Sequence, residues 1–309
     1  MKYKVLVVEP IHEEGLRVLR EKGYEVVVAT DIARDELLEM IGKFEVLIVR
    51  GRTKVDKEVI DAGRRLRLIC RAGVGLDNID VDYARRKGVE VINTPEATSI
   101  AVAELVFGLL LCLYRRIYDA VRGMKEGVWL KRKLSGFELY GKTMGIIGLG
   151  RIGSEVAKRA KAFGMHVIGY RRHRLLETAK RLGIEPAKSI DYLLERSDIV
   201  SLHVPLTKET YHMIGERELR IMKPTAVLIN TSRGAVVDTK ALLRALREGW
   251  ISGAALDVLE HEPPKESWEW ELVRLPNVVV TPHIGAQTIE AQRRVSLELA
   301  HKIISLLEG

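Results

Sequence analysis

Residues 143–153 read Thr143-Met144-Gly145-Ile146-Ile147-Gly148-Leu149-Gly150-Arg151-Ile152-Gly153. A short apolar strand over Thr143–Gly148 runs into a GxGxxG turn, and an amphipathic helix over Ser154–Phe163 follows it. Such glycines alone are weak evidence, but between a strand and a helix each has a task. Gly148 allows the tight turn, Gly150 lets the backbone approach a pyrophosphate, and Gly153 lets helix and strand pack closely. Amides at the start of the helix then face the phosphates.

Downstream, strand patterns recur near His166–Tyr170, Ile199–His203, Ala226–Asn230, Gly253–Asp257 and Val278–Thr281, with helical patterns between them. Six parallel strands opening on a glycine-rich turn predict a Rossmann dinucleotide-binding domain. Upstream, Lys4–Val8, Glu25–Val28, Val46–Val49, Leu68–Arg71 and Val89–Ile92 alternate with helical segments at Glu13–Lys22, Asp35–Ile41, Lys57–Ala62 and Asp80–Lys87. Their continuous apolar character points to a second parallel sheet, covered on both faces. The last helix, Ile289–Leu307, is expected to pack back on the first domain. The expected fold is therefore α/β, with two doubly wound parallel-sheet domains and the Rossmann domain, 96–286, inserted into a discontinuous substrate-binding domain, 1–95 plus 287–309.

A long helical pattern spans Ser99 to Lys125, and its Ala101–Leu113 segment is apolar nearly all round. Such a helix must be buried. Burial between domains or between subunits would meet that need; a subunit interface is favoured, making 99–125 a dimerisation helix in a homodimer or dimer of dimers. It is too short and too polar at its flanks to cross a bilayer.

The 309 residues are 47% hydrophobic, 30% charged and only 6% aromatic, a composition that suits about two globular domains. The N-terminal apolar run is interrupted by Glu9 and Pro10, which argues against an export signal and for the cytoplasm. Cys70 and Cys112 lie far apart with no CxxC spacing, so neither a disulfide framework nor a metal cluster is expected. The net charge of +8 comes from Lys and Arg interleaved with Glu, without the aromatic platform of nucleic-acid binders. A small anion is the better partner. Few Asn and Gln among many Arg, Lys and Glu resembles thermophile composition.

An NAD-binding strand should end in Asp or Glu about 20 residues beyond the turn, to accept from the ribose hydroxyls. This chain has Gly169-Tyr170-Arg171-Arg172-His173-Arg174 there. A carboxylate would repel a 2′-phosphate, whereas Arg pairs with one. NADP is expected to be at least tolerated beside NAD. Three more strand ends carry polar groups: Asn230-Thr-Ser-Arg233, Asp257-Val-Leu-Glu-His-Glu262 and Thr281-Pro-His283. Hydride transfer from an alcohol needs a base for the hydroxyl proton and a cation to orient the oxygen. An imidazole supported by a carboxylate, together with a fixed guanidinium, meets both needs.

At these residues the sequence resembles the D-2-hydroxyacid dehydrogenase family, from Val5 to Leu307. The resemblance implies catalytic roles for Arg233 (binding carboxylate and keto oxygen), His283 (acid/base) and Glu262 (supporting His283). It implies cofactor contacts at Gly148, Gly150, Arg151, Ile152, Gly153, Val204, Pro205, Thr231, Ser232, Asp257, Gly285 and Ala286, with Arg171 in the place of the usual acidic residue. The first half is most similar to the phosphoglycerate dehydrogenase branch, in Ile48-Val-Arg50, Arg71-Ala-Gly-Val74-Gly75-Leu-Asp-Asn78-Ile-Asp80 and Asn93-Thr-Pro95. That branch implies Arg50 and Arg71 as phosphate ligands and the Val74 and Gly75 amides as a carboxylate nest. It also implies oxidation of 3-phospho-D-glycerate in serine biosynthesis. Trp129 would lie near the neighbouring subunit's site by the same analogy, or in the core. The chain ends at Gly309, where longer members of the branch continue into regulatory domains, so serine feedback is not expected. The alternatives are an NADPH-dependent glyoxylate/hydroxypyruvate reductase and, more remotely, a non-catalytic dinucleotide sensor.

Overall fold

The computed structural model describes residues 3–308. It divides into two compact units, Met1–Ser99 with Ala286–Gly309, and Ile100–Gly285. In the first, strands β1 (Lys4–Val7), β2 (Glu25–Val28), β3 (Val46–Val49), β4 (Leu68–Arg71) and β5 (Glu90–Asn93) form one parallel sheet in the order β2-β1-β3-β4-β5. Between them run α1 (Glu13–Glu21), α2 (Arg34–Ile41), α3 (Lys57–Ala62) and α4 (Val81–Arg86). Successive strand residues point to opposite faces. Val5, Val7, Val46 and Ile48 pack with Leu16 and Leu19 of α1, while Leu6, Leu47 and Val49 pack with Leu37, Ile41 and Val59 on the other side. Both faces are buried, which is why these strands read as unbroken apolar runs.

The second unit begins with α5 (Ser99–Tyr114) and α6 (Ile117–Lys125), then alternates β6 (Thr143–Ile147), α7 (Arg151–Ala162), β7 (His166–Tyr170), α8 (Leu175–Leu182), β8 (Glu185–Pro186), α9 (Ile190–Arg196), β9 (Ile199–Leu202), α10 (Glu216–Ile221), β10 (Val227–Asn230), α11 (Thr239–Arg247), β11 (Gly253–Leu256), α12 (Ser267–Arg274) and β12 (Val278–Val280). Its sheet order is β12-β11-β10-β9-β6-β7-β8, all parallel. The order reverses between β6 and β9, the switch point where doubly wound sheets bind ligands. The chain closes with α13 (Ile289–Glu308), whose Val295, Leu299 and Ile303 enter the first unit's core.

Two expectations need correcting. The second sheet has seven strands instead of six, because the two-residue Glu185–Pro186 edge pairs with Ile168 and Gly169. So short an edge leaves no apolar run to read. The single helix expected over 99–125 is two, divided where Arg116 adopts a left-handed φ of 50°. Its guanidinium holds that break by donating to Asp119 and to the Lys133 carbonyl. The apolar girdle of α5 is met by its own unit: Ala103, Val106, Phe107, Leu109, Leu110 and Tyr114 pack against Met144, Ile146, Ile229 and Ala255. A run of exposed apolar side chains follows that break, at Ile117, Tyr118, Val121, Met124, Val128 and Trp129. Among the described residues no helix is long and apolar enough to cross a membrane.

Candidate active site

The glycine-rich turn lies between β6 and α7 at the switch point. Gly148 has φ 101°, and a Cβ there would come within 2.2 Å of the His203 carbonyl oxygen and 3.0 Å of Val204. A Cβ at Gly153 would stand 2.0 Å from the Gly148 carbonyl oxygen, so helix and turn touch through hydrogen. Gly150 differs: a Cβ there meets no protein atom within 4 Å. No side chain caps α7, whose N-cap is Gly150 itself. An uncapped helix N-terminus beside an open glycine fits the pyrophosphate of a dinucleotide. The turn thus brings together Gly148, Gly150, Arg151, Ile152, Gly153 and Val204, with Pro205 next in the chain and its carbonyl held by Thr210 Oγ1 at 2.6 Å.

Arg171 follows β7. Its Nη1 donates to the Leu149 carbonyl at 3.1 Å and to Thr178 Oγ1 at 2.9 Å, which places the guanidinium against the glycine-rich turn. His203 follows β9, and its Nε2 is 2.8 Å from Ser201 Oγ. Its Nδ1 is shielded from solvent with no hydrogen-bond partner. Burial pushes this imidazole down to about 3, so it is neutral at physiological pH.

The next three strand ends carry the polar constellation. After β10, Asn230 is fully buried and ties the Thr231–Arg233 turn to itself: Oδ1 accepts from the Ser232 amide at 3.0 Å and hydroxyl at 2.8 Å, and Nδ2 donates to the Arg233 carbonyl at 2.8 Å. Arg233 Nη1 donates to the Ser232 carbonyl at 2.7 Å. A Cβ on Gly234 would lie 2.0 Å from the Leu259 carbonyl, so the turn carrying Arg233 is in contact with the loop carrying Glu262. After β12, His283 Nδ1 is 2.7 Å from Glu262 Oε2. His283 itself has φ 53°, an uncommon conformation for a non-glycine residue, and its amide donates to the Asp257 and Thr281 carbonyls. Asp257 is buried beneath it. Its Oδ1 accepts from Thr281 Oγ1 at 2.6 Å and the Ile284 amide at 2.8 Å, and its Oδ2 from the Gly285 amide at 2.8 Å. Burial raises the pKa of the Asp257 carboxyl above its ordinary value, and those three donors oppose the rise. Asp257 thereby shapes the turn that aims His283. Ala286 begins the returning segment of the first unit.

In the first unit, Arg50 follows β3 and Arg71 ends β4, on adjacent strands. The Arg71 guanidinium folds over Gly73. The Gly73 carbonyl accepts from the Thr94 amide at 2.9 Å and the Val74 carbonyl from Asn93 Nδ2 at 2.6 Å, fixing the Gly73–Gly75 loop.

Two supporting residues, Glu9 and Asn78, carry no site role in the sequence reading, although Asn78 lies within the Arg71–Asp80 motif. Glu9, nearly buried, accepts from the amides of Arg50 at 2.9 Å, Arg52 at 3.1 Å and Thr53 at 2.9 Å. Burial alone would raise its pKa, but these amides outweigh it and hold the carboxyl below its ordinary value. Asn78 Nδ2 takes the carbonyls of Arg50 at 3.0 Å and Thr53 at 2.6 Å. Together they pin both sides of the Arg50 loop. The only sequence signal for Glu9 is a charged residue at the end of an apolar strand.

Residues 107–285 match the model of the D-isomer specific 2-hydroxyacid dehydrogenase NAD binding domain. The chain is 49% identical over 306 residues to D-3-phosphoglycerate dehydrogenase of Methanocaldococcus jannaschii, covering 99% of this chain but 58% of that protein. It spans little more than half the length of that relative. It is 46% identical to hydroxypyruvate reductase of Thermotoga maritima, with 99% of each chain covered. Among solved structures, an acyclic imino acid reductase in complex with NADPH and D-Arg is 32% identical, superposes with a TM-score of 0.86, and is covered over 99% of this chain and 97% of that one. From the glycine-rich turn, the His283–Glu262 couple and these matches together, the chain belongs to the D-isomer specific 2-hydroxyacid dehydrogenase family.

Proposed function

We propose that the protein is a D-3-phosphoglycerate dehydrogenase, oxidising the 2-hydroxyl of 3-phospho-D-glycerate to 3-phosphohydroxypyruvate in serine biosynthesis. The observation that carries the dehydrogenase reading is the 2.7 Å couple between His283 Nδ1 and Glu262 at the strand ends of a dinucleotide-binding sheet. With Nδ1 facing the carboxylate, Nε2 is the nitrogen left to exchange a proton with substrate. In oxidation Nε2 takes the hydroxyl proton, and in reduction it returns a proton to the carbonyl oxygen. Glu262 favours the imidazolium formed in between. Arg233 clamps the carboxylate and polarises the oxygen through its fork of N–H donors. Bound NAD or NADP supplies the hydride acceptor and donor at nicotinamide C4. Gly148 through Gly153, Val204, Pro205, Thr231, Ser232, Asp257, Gly285 and Ala286 are assigned to hold the dinucleotide.

The phosphorylated substrate is favoured by Arg50 and Arg71 on neighbouring strand ends and by the buried Glu9 and part-buried Asn78 that order the Arg50 loop. The Val74 and Gly75 amides are assigned to the substrate carboxylate. A second reading, an NADPH-dependent hydroxypyruvate or glyoxylate reductase, is favoured by Arg171 beside the glycine-rich turn and by the full-length match to a hydroxypyruvate reductase. The deciding experiment measures kcat/KM for phosphohydroxypyruvate, hydroxypyruvate and glyoxylate, each with NADH and NADPH, in wild type and Arg50→Gln/Arg71→Gln. The main proposal expects preference for the phosphorylated acid and its selective loss in the variant. Equal or better use of the unphosphorylated acids, untouched by the variant, assigns the reductase. Arg171→Asp is expected to move preference from NADPH toward NADH. An unchanged ratio removes Arg171 from the ribose site.

We also place the protein in the cytoplasm as a homodimer built through the exposed apolar segment around α6, a reading supported by Ile117, Tyr118, Val121, Met124 and Trp129 on one continuous stretch.

A further inference from the structure

The run Glu260-His261-Glu262 holds three acid–imidazole couples in succession. Glu262 faces His283, but its two predecessors pair elsewhere. Glu260 Oε1 meets His212 Nε2, and His261 Nδ1 lies 3.1 and 3.2 Å from the two oxygens of Glu269. Glu269 is the unexpected member, with a side chain that is 0% exposed. A carboxylate so placed is costly unless its lone pairs are served. Here they are served by the backbone of the loop itself: the amides of His261 at 3.2 Å, Lys265 at 2.9 Å and Glu266 at 3.0 Å. From its place in the first turn of α12, Glu269 gathers the whole 261–266 segment around one buried anion. The opposite flank is fixed by His212, which stacks on Tyr211 with ring centroids 4.0 Å apart and whose amide donates to the Ala235 carbonyl, just beyond Arg233.

Within this frame Glu262 has little freedom. Its Oε1 accepts from the Leu259 amide at 3.2 Å, which leaves Oε2 for His283. His212 and His283 both occupy the left-handed backbone region, with φ of 48° and 53°. Such strain persists where surrounding contacts over-determine it. We propose that Glu269, with His212 on the other flank, is a positioning residue for the reaction, holding the 260–262 backbone so that the Glu262 carboxylate stays aimed at His283 Nδ1. The proposal rests on the reading of His283 as the proton-transfer group.

Glu269 also caps α12, so loss of stability alone would not separate positioning from capping. A double-mutant cycle does. Glu269→Gln keeps the shape but turns an amide NH2 toward backbone donors. It is expected to lower kcat about tenfold, as a misaimed catalytic group does, with keto-acid KM and dinucleotide Kd nearly unchanged. In a Glu262→Gln background the same change is expected to cost nothing further in kcat. Multiplying losses would show that Glu269 acts on the fold and not through Glu262, and would overturn the proposal. If Glu262→Gln itself leaves kcat intact, the His283–Glu262 reading fails and takes the proposal with it. Should Glu269→Gln not fold, His261→Gln serves in the same cycle, since its half-exposed ring supplies one of the donors to Glu269 while leaving the backbone amides in place. A loss of kcat that vanishes without Glu262 supports the proposal, and one that persists rejects it.

Discussion

At the scale of single residues, the two histidines at the strand ends divide the labour by environment. His283 is half-exposed and faces a carboxylate at 2.7 Å, the arrangement that the proposed acid/base role requires. His283→Ala is expected to cut kcat by on the order of a thousandfold or more while leaving dinucleotide affinity nearly intact, measured by steady-state kinetics beside a fluorescence titration. Comparable activity would end its acid/base role. His203 lacks any acid partner and stays neutral down to about pH 3. Its folded-state pKa lies below the ordinary value near 6.5, so the unfolded chain binds a proton that the native state refuses. Stability from this group is fully present above about pH 6.5 and declines as pH falls toward 3. Thermal unfolding followed at several pH values should therefore show a loss below about pH 6.5 that His203→Asn flattens. An unchanged slope would place the acid sensitivity elsewhere.

At the scale of elements, the β6–turn–α7 unit separates fold from binding within three glycines. Gly153→Ala drives a methyl to 2.0 Å from the Gly148 carbonyl, so helix and strand must part, and Tm should fall. Gly150→Ala meets nothing, at a φ of −81° that alanine accepts, so the fold should keep or slightly gain stability. Its methyl would instead occupy space toward a pyrophosphate, and dinucleotide Kd should weaken by about tenfold or more, a cost of roughly 1.4 kcal/mol. Calorimetry and a binding titration on the two variants test the pair. Unimpaired binding in Gly150→Ala would show that the phosphates do not approach there. This turn was legible because its chemistry is local: strand, glycine spacing and helix are contiguous. The buried runs of both sheets were legible for the same reason. Arg116 was not, since neither glycine nor proline marks its break, which is fixed by Asp119 and the Lys133 carbonyl. Glu9 was missed because its partners lie 41 to 44 residues away, and Glu269 because the amides it gathers belong to an irregular loop.

At the scale of the whole molecule, what the core leaves outside decides assembly. Much of the apolar surface of α5 packs against its own sheet, so a single chain already accounts for a large part of the composition that first suggests a subunit interface. The surplus appears one element later. Tyr118 is 65% exposed, Met124 59% and Trp129 74%, with Ile117, Val121 and Val128 each more than two-fifths exposed. Scattered apolar side chains are ordinary on a surface, but six within 13 residues make a patch of the kind that marks association. Isologous pairing of one such patch on two copies gives a closed dimer. Sedimentation equilibrium is accordingly expected to return twice the 34.8 kDa chain mass or a multiple of it. Val121→Asp/Met124→Glu places like charges face to face across that contact and should yield a monomer, while leaving the strands and the glycine-rich turn folded by circular dichroism. A wild-type monomer would mean that these side chains serve another surface. A dimer indifferent to the substitutions would move the interface away from α6.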